Sequence, residues 1–244
     1  MLGAVHRHLG ELEARRLAQR VPPLPASLDA ILREVQSPDA SAHVVGRLVA
    51  ADPVLSGRVL RMVRSGFYSR GRPVVRAEEA VARLGLRTTR NIALAASVRQ
   101  LAPPPGLGYD QQGFFLHSFA TASVATALAR SHGEDPDLLF LAGLMHDVGL
   151  LIEVAGYDHA LVGAIVARHW KLPEALSSII AAHHAEDATG AAALVQAADR
   201  AVDAAGVGLA VCIPCAVDDA LFEEAQTHVQ DASARAMEAL DALR

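Results

Sequence analysis

An all-α fold is predicted by three features of the sequence. Hydrophobic residues make up 52% of the 244 residues and aromatics only 4%, so a sizeable core has to be built from aliphatic and small side chains. Alanine is abundant among them, which suits helices packed closely through small residues. No segment shows the β-branched alternation of a half-buried strand.

Boundary signals place the helices in order. The first spans Leu2 to Gln19 and ends before Pro22-Pro23. The second starts near Ser27, a capping residue, and stops before Pro38; the third is capped by Ser41 and runs to about Ala51. Asp52 then caps a helix with Pro53 at its first position, where the missing N–H costs nothing. Two short helices follow at about 77–84 and 86–101, joined at Gly85. The stretch "APPPGLG" (Ala102 to Gly108) interrupts the helical pattern, as a linker or as a rigid loop inside one body. Beyond it lie helices at about 112–132, 136–153, 158–169, 173–185 and 190–204, with Pro136 and Pro173 near two of the starts, and an acidic amphipathic segment at about 217–243. There is no internal repeat.

Composition narrows the function. No apolar run approaches membrane-span length, and the opening MLGAVHRHLGELEARRLAQR is charged throughout, unlike a secretory signal. Two cysteines make no disulfide framework, so a cytoplasmic location is expected. They form Cys212-Ile-Pro-Cys215, read as a turn between helices because no βαβ pattern surrounds it. A net charge of −5 argues against general nucleic-acid binding. Residues 58–90 nevertheless carry nine arginines against Glu78 and Glu79, a balance of +7. Arg58, Arg61 and Arg64 are spaced three apart on one helix face. That stripe is a candidate anion-binding surface for an acidic protein partner or a nucleotide, since a guanidinium binds carboxylate or phosphate through two parallel donors. The alternative is a face balanced by acidic residues of the same chain, for example Asp218, Asp219, Glu223 and Glu224.

The stretch "GLMHDVGLL" (Gly143 to Leu151) sets His146 and Asp147 inside an apolar run, and a buried Asp needs a partner. Four further segments place similar groups among apolar residues: His117 in "FFLHSFATASVATALA", His159 in "DHALVG", His183 and His184 in "AAHH", and Asp199 in "LVQAADRAV". Taken singly each has an ordinary reading. His117 can be a hydrogen-bonded core residue, His159 a helix-start residue, His183-His184 a solvated helix end, and Asp199 a partner of Arg200. Taken together, imidazoles and carboxylates on five helices are the donor set of a divalent transition ion such as Fe, Mn or Zn. On one helix, adjacent His146 and Asp147 point about 100° apart, toward one ion or two neighbours. A two-ion site can activate water to attack a phosphate.

The order H…HD…H…HH…D resembles the HD superfamily of metal-dependent phosphohydrolases. "LAGLMHDVG" is similar to its signature helix, and His117, His146, Asp147 and Asp199 fall on its four principal ligand positions. His159, followed by Gly163, and His183-His184 resemble the additional histidines of the HD-GYP branch, which hydrolyses cyclic di-GMP at a multinuclear site. The first half narrows the match. "VPPLPASLDAILREVQSPDAS", "VVGRLVAADPVLSGRVLRMVRSGFYS" and "RPVVRAEEAVARLGLRTTRNIALAASV" resemble the opening blocks of the HDOD family, and "DHALVGAIVARHWKLPEAL" continues it. The resemblance covers about residues 21–205. It implies an HD-like helical bundle (about 108–205) preceded by an N-terminal helical subdomain (about 21–101), packed as one HDOD body. Residues 1–20 then form an N-terminal helix and 206–244 a C-terminal helical extension. HDOD proteins act largely as bacterial signalling and regulatory modules.

Four departures from the enzymatic pattern stand out. Leu150 follows "HDVG" where active relatives commonly carry a phosphate-binding Lys; "AEDATG" replaces Gly-Tyr-Pro after the paired histidines; Gly113 stands where a further Glu ligand can occur; and only eleven residues separate Asp147 from His159. The expectation is a regulatory protein that binds a signalling partner or a nucleotide second messenger, with homo-oligomerisation possible. It is expected to carry an HD-type site able to bind metal, with little or no catalysis. The competing expectation is a phosphohydrolase acting on a cyclic dinucleotide or nucleotide, with Asp147 as the catalytic residue. A helical adaptor without metal is the third.

Overall fold

Apolar residues recurring at helical spacing set the first half of the chain. The computed structural model describes residues 16–21, 23–65, 72–99, 110–152, 158–208 and 217–243. Helix α1 (Ala26–Gln36) buries Leu28, Ile31 and Leu32, one stripe at i, i+3 and i+4. Helix α2 (Ala42–Ala51) buries Val45 and Val49, and α3 (Pro53–Arg64) buries Leu55, Val59, Met62 and Val63. Helices α4 (Ala77–Leu84) and α5 (Leu86–Val98) meet at Gly85, and α2 packs mainly on α4.

The second half is organised around α6 (Gln111–His132), which is buried on most of its circumference and has alanines at 120, 122, 125 and 129. Helices α7 (Pro136–Met145), α10 (Gly190–Ala204) and α11 (Asp219–Ala242) pack against it. A 3-10 turn (Val148–Leu151), α8 (His159–His169) and α9 (Glu174–Ala182) complete that half. Among the described residues a main hydrophobic core runs from Val21 to Leu243, with a small second cluster of Leu17, Val162 and Ile165, and α5 on α7 and α3 on α11 join the halves into one body. Among the described residues there is no strand, and no helix is long and apolar enough to cross a membrane.

The boundary signals work where they are local. Asp52 caps α3 as expected, accepting from the amides of Val54 and Leu55 at 3.0 Å, with Pro53 at the first position. Asp135 caps α7 in the same way, and Asp158 caps α8 by accepting from the amide of Ala160. Ser27 is not a cap: α1 begins at Ala26, and the Ser27 hydroxyl donates to Asp52 at 2.7 Å. Ser41 precedes α2 without a side-chain capping bond. The helix expected over 136–153 is broken. It ends at Met145, Asp147 leaves helical geometry at φ −97°, ψ 7°, and the 3-10 turn follows. Most of the expected first helix, the "APPPGLG" stretch and both cysteines lie outside the described residues.

Candidate metal centre

The seven histidines and aspartates singled out in the sequence meet at one place. Helix α6 supplies His117 from its second turn, and His146 sits at the end of α7 with Asp147 in the turn after it. His159 opens α8, His183 and His184 follow α9, and Asp199 lies on the buried face of α10. Their potential ligand atoms form two groups, each lying within 4.8 Å of one another: His117, His146 and Asp199, then Asp147, His159, His183 and His184.

Asp147 links the groups. Its Oδ2 is 3.3 Å from His146 Nε2 and 3.7 Å from His117 Nε2, and its Oδ1 is 3.1 Å from His159 Nε2 and 3.8 Å from His183 Nε2. Asp199 Oδ1 closes the first group at 3.0 Å from His117 Nε2 and 3.3 Å from His146 Nε2. The break after Met145 makes this possible, because it takes Asp147 off the helix and lets it face both groups. A close approach then brings in α8. A Cβ on Gly149 would lie 2.0 Å from the His159 carbonyl oxygen, so only glycine lets the turn touch the start of α8.

The donor chemistry fits a divalent cation. His146 Nδ1 lies 2.8 Å from the Gly143 carbonyl, and His183 Nδ1 lies 2.6 Å from the Ile180 carbonyl. A carbonyl only accepts, so each Nδ1 carries hydrogen, and Nε2 is the nitrogen left to face the centre. Across the site, Nε2 atoms approach one another at 3.2 Å (His117–His146), 3.3 Å (His159–His183) and 3.1 Å (His159–His184). Lone pairs so crowded in a buried pocket need a positive charge between them, from protons or from a metal.

The acid–base balance shows the same demand. Burial opposes charge on His146, but Asp147 and Asp199 outweigh it and hold the imidazole well above its ordinary pKa. Burial likewise opposes the Asp147 carboxylate, yet His146 first, and then His159 and His183 beside it, hold it well below the carboxylate range. Asp199 is lowered in the same manner, against burial, by His146 and His117. His159 is raised by Asp147 despite its burial. His184 goes the other way, to about 3, through burial and the adjacent His183 and His159.

The positions that depart from the enzymatic pattern are occupied structurally. Leu150 packs against the core. Gly113 is pressed against the backbone of Gly208, where an added Cβ would lie 2.9 Å from a carbonyl oxygen. The arginine stripe engages backbone carbonyls of its own chain: Arg58 that of Ala96 at 3.4 Å, Arg61 that of Ala242 at 2.7 Å and Arg64 that of Val74 at 2.7 Å. Glu224, named above as a possible partner for this stripe, is held instead by Ser131 and His132. One functional candidate escaped sequence reasoning. Asp203 Oδ1 lies 3.5 Å from His117 Nδ1, on the side of the ring away from the other candidate ligands. Its signal was present in the four-residue spacing from Asp199.

Comparison with known proteins places these features in a wider group. An HDOD domain model matches residues 21–155 and an HD domain model matches residues 114–242. The fold is similar to that of an HDOD domain protein of unknown function from Geobacter sulfurreducens, with a TM-score of 0.71 and 22% identity over 94% of this chain and 95% of that one. It is also similar to a protein from Shewanella amazonensis SB2B, a phosphohydrolase by assignment only, with a TM-score of 0.74 and 24% identity over 95% and 98% of the two chains. In sequence, ribonuclease Y of Clostridium tetani is 40% identical over 101 residues, which is 40% of this chain and 19% of that protein. An uncharacterised protein of Treponema pallidum is 23% identical over 194 residues, 67% of this chain and 37% of that protein.

Proposed function

This chain belongs to the HDOD family, and on that premise we propose that it is a signalling or regulatory protein whose HD-type centre holds divalent metal and does little or no catalysis. The observation that carries the reading is the pairing of Asp147 with Leu150. Asp147 directs one carboxylate oxygen to each of two imidazole groups, the arrangement of a bridging ligand. Three residues later, where phosphate chemistry would use a cation, stands Leu150, partly buried and packed against the core. His117, His146 and Asp199 would hold one ion, His159, His183 and His184 a second, and Asp147 would bridge them. Divalent metal there supplies charge to polarise a phosphoryl oxygen. At position 150 the chain offers leucine and not a further cation to stabilise charge developing on a transferring phosphate.

In this reading the metal-loaded body binds a signalling partner or a nucleotide second messenger. The experiment is elemental analysis of protein loaded with Mn, Fe or Zn, joined to a phosphodiesterase assay. Bound metal with no turnover supports the reading. Turnover at about 1 per second or faster, an ordinary enzyme rate, replaces it with a metal-dependent phosphohydrolase. That second reading draws on the seven-residue donor set and on the likeness to ribonuclease Y, so RNA belongs in the assay beside cyclic dinucleotides. The matched part spans about a fifth of ribonuclease Y.

A further inference from the structure

We propose that Asp203 is a positioning residue for His117, holding its imidazole from behind so that Nε2 stays aimed at the metal; this rests on the metal-binding reading above. Asp199 and Asp203 are four residues apart on α10, one turn along the same face. Asp199 Oδ1 is 3.0 Å from His117 Nε2 and Asp203 Oδ1 is 3.5 Å from His117 Nδ1. A single helix therefore addresses both nitrogens of one ring. The His117 side chain is 1% exposed and that of Asp203 6%, so water does not readily take the place of this carboxylate.

His117 differs from His146 and His183 in the support of its Nδ1. Those two rings donate to carbonyls of their own chain segments, three residues back. His117 lies inside α6, where the preceding carbonyls are used by the helix, and its Nδ1 is buried without a hydrogen bond. Asp203 is the acceptor placed beside it. The end of α10 is fixed against α6 next to this pair. The turn after α10 brings Gly208, at φ +86°, so close that a Cβ there would meet the His117 amide nitrogen at 2.7 Å. A carboxylate behind a ligand imidazole fixes its tautomer and raises its basicity, and loss of such a group typically costs about 10–100-fold in metal affinity.

The test is competitive titration of the full chain with Zn²⁺ against a fluorescent chelator, for the wild type, Asp203→Ala and Asp203→Asn. Asp203→Ala is expected to weaken one ion by about 10–100-fold and leave the other unchanged. Asp203→Asn, which keeps an acceptor but not the charge, is expected to recover part of the loss. Imidazole ¹⁵N shifts supply a readout that packing alone would not move. His117 is expected to be an Nδ1–H tautomer in the Zn²⁺-loaded wild type and in Asp203→Asn. If either variant binds both ions as tightly as the wild type, with the His117 shifts unaltered, the inference is overturned while the metal-binding reading stands. Loss of both ions in Asp203→Asn, with a lowered melting temperature, also overturns it, because Asp203 would then serve the fold. A wild type that binds no Zn²⁺ removes both.

Discussion

Replacing Gly149 with alanine puts a methyl group where there is no room for one. The new Cβ would sit 2.0 Å from the His159 carbonyl oxygen and 2.7 Å from the Gly163 amide nitrogen, whereas real Cβ atoms essentially never approach a neighbour below 3.0 Å. Both obstacles are backbone, so the start of α8 has to retreat by at least the 1.0 Å between 2.0 and 3.0 Å. His159 retreats with it, and metal–ligand distances tolerate only about 0.2 Å. Overpacking of this kind costs about 1–3 kcal/mol. For a chain of this size that lowers the melting temperature by roughly 2–12 °C. The expected result for Gly149→Ala is a folded, less stable protein that has lost one ion, the one held by His159, and kept the other. Thermal melts and metal stoichiometry read both effects. A variant that melts with the wild type and holds both ions unchanged would refute the reasoning.

Three further outcomes follow from the same structure. Asp52→Ala removes the cap of α3 and the acceptor of the Ser27 hydroxyl, and is expected to cost about 1 kcal/mol in denaturant unfolding at neutral pH. The Asp52 pKa is lowered in the fold, first by the Leu55 amide and then by Ser27, so its contribution is present above the ordinary value of 3.8. It is lost as pH falls below that value through the folded pKa, and the gap between wild type and variant should close there. In the metal-free protein His146 and His159 hold protons more tightly than ordinary histidines, so metal binding is expected to release protons. Titration calorimetry in buffers of different ionisation enthalpy measures that release, and affinity should fall as pH is lowered; the same heat in every buffer at pH 7 would contradict it. Changing Arg58, Arg61 and Arg64 together to alanine is expected to destabilise the protein by about 1 kcal/mol for each hydrogen bond to a carbonyl that is removed. Hydrogen exchange should then rise at the end of α11, whose Ala242 carbonyl Arg61 holds; unchanged stability and exchange would leave the stripe free for a partner.

The features legible in the sequence are those with local causes. Asp52-Pro53 and Asp135-Pro136 mark helix starts because cap and proline act within one turn of themselves. The seven ligand candidates were legible because charged and imidazole groups in apolar helices need partners. What escaped depends on distant parts of the chain. Ser27 reads as a cap but serves Asp52, 25 residues away. The helix break after Met145 has no proline to announce it, and the close approach of Gly149 to the start of α8 that accompanies it joins separate parts of the chain. Asp203 was visible as a carboxylate one turn beyond Asp199, but only the packing of α10 on α6 selects the ring it serves. The arginine spacing says nothing of the carbonyls of Ala96, Ala242 and Val74 that meet Arg58, Arg61 and Arg64.

The central claim is that the buried histidine and aspartate cluster is a metal centre bridged by Asp147. The most direct measurement is elemental analysis of the purified chain after loading with Mn, Fe or Zn and removal of loose ions, for the wild type and Asp147→Ala side by side. The account expects about two ions per wild-type chain, by analogy with carboxylate-bridged two-metal sites, and none retained by Asp147→Ala. No metal on the wild type with any of the three, or the same metal content in Asp147→Ala, would contradict it.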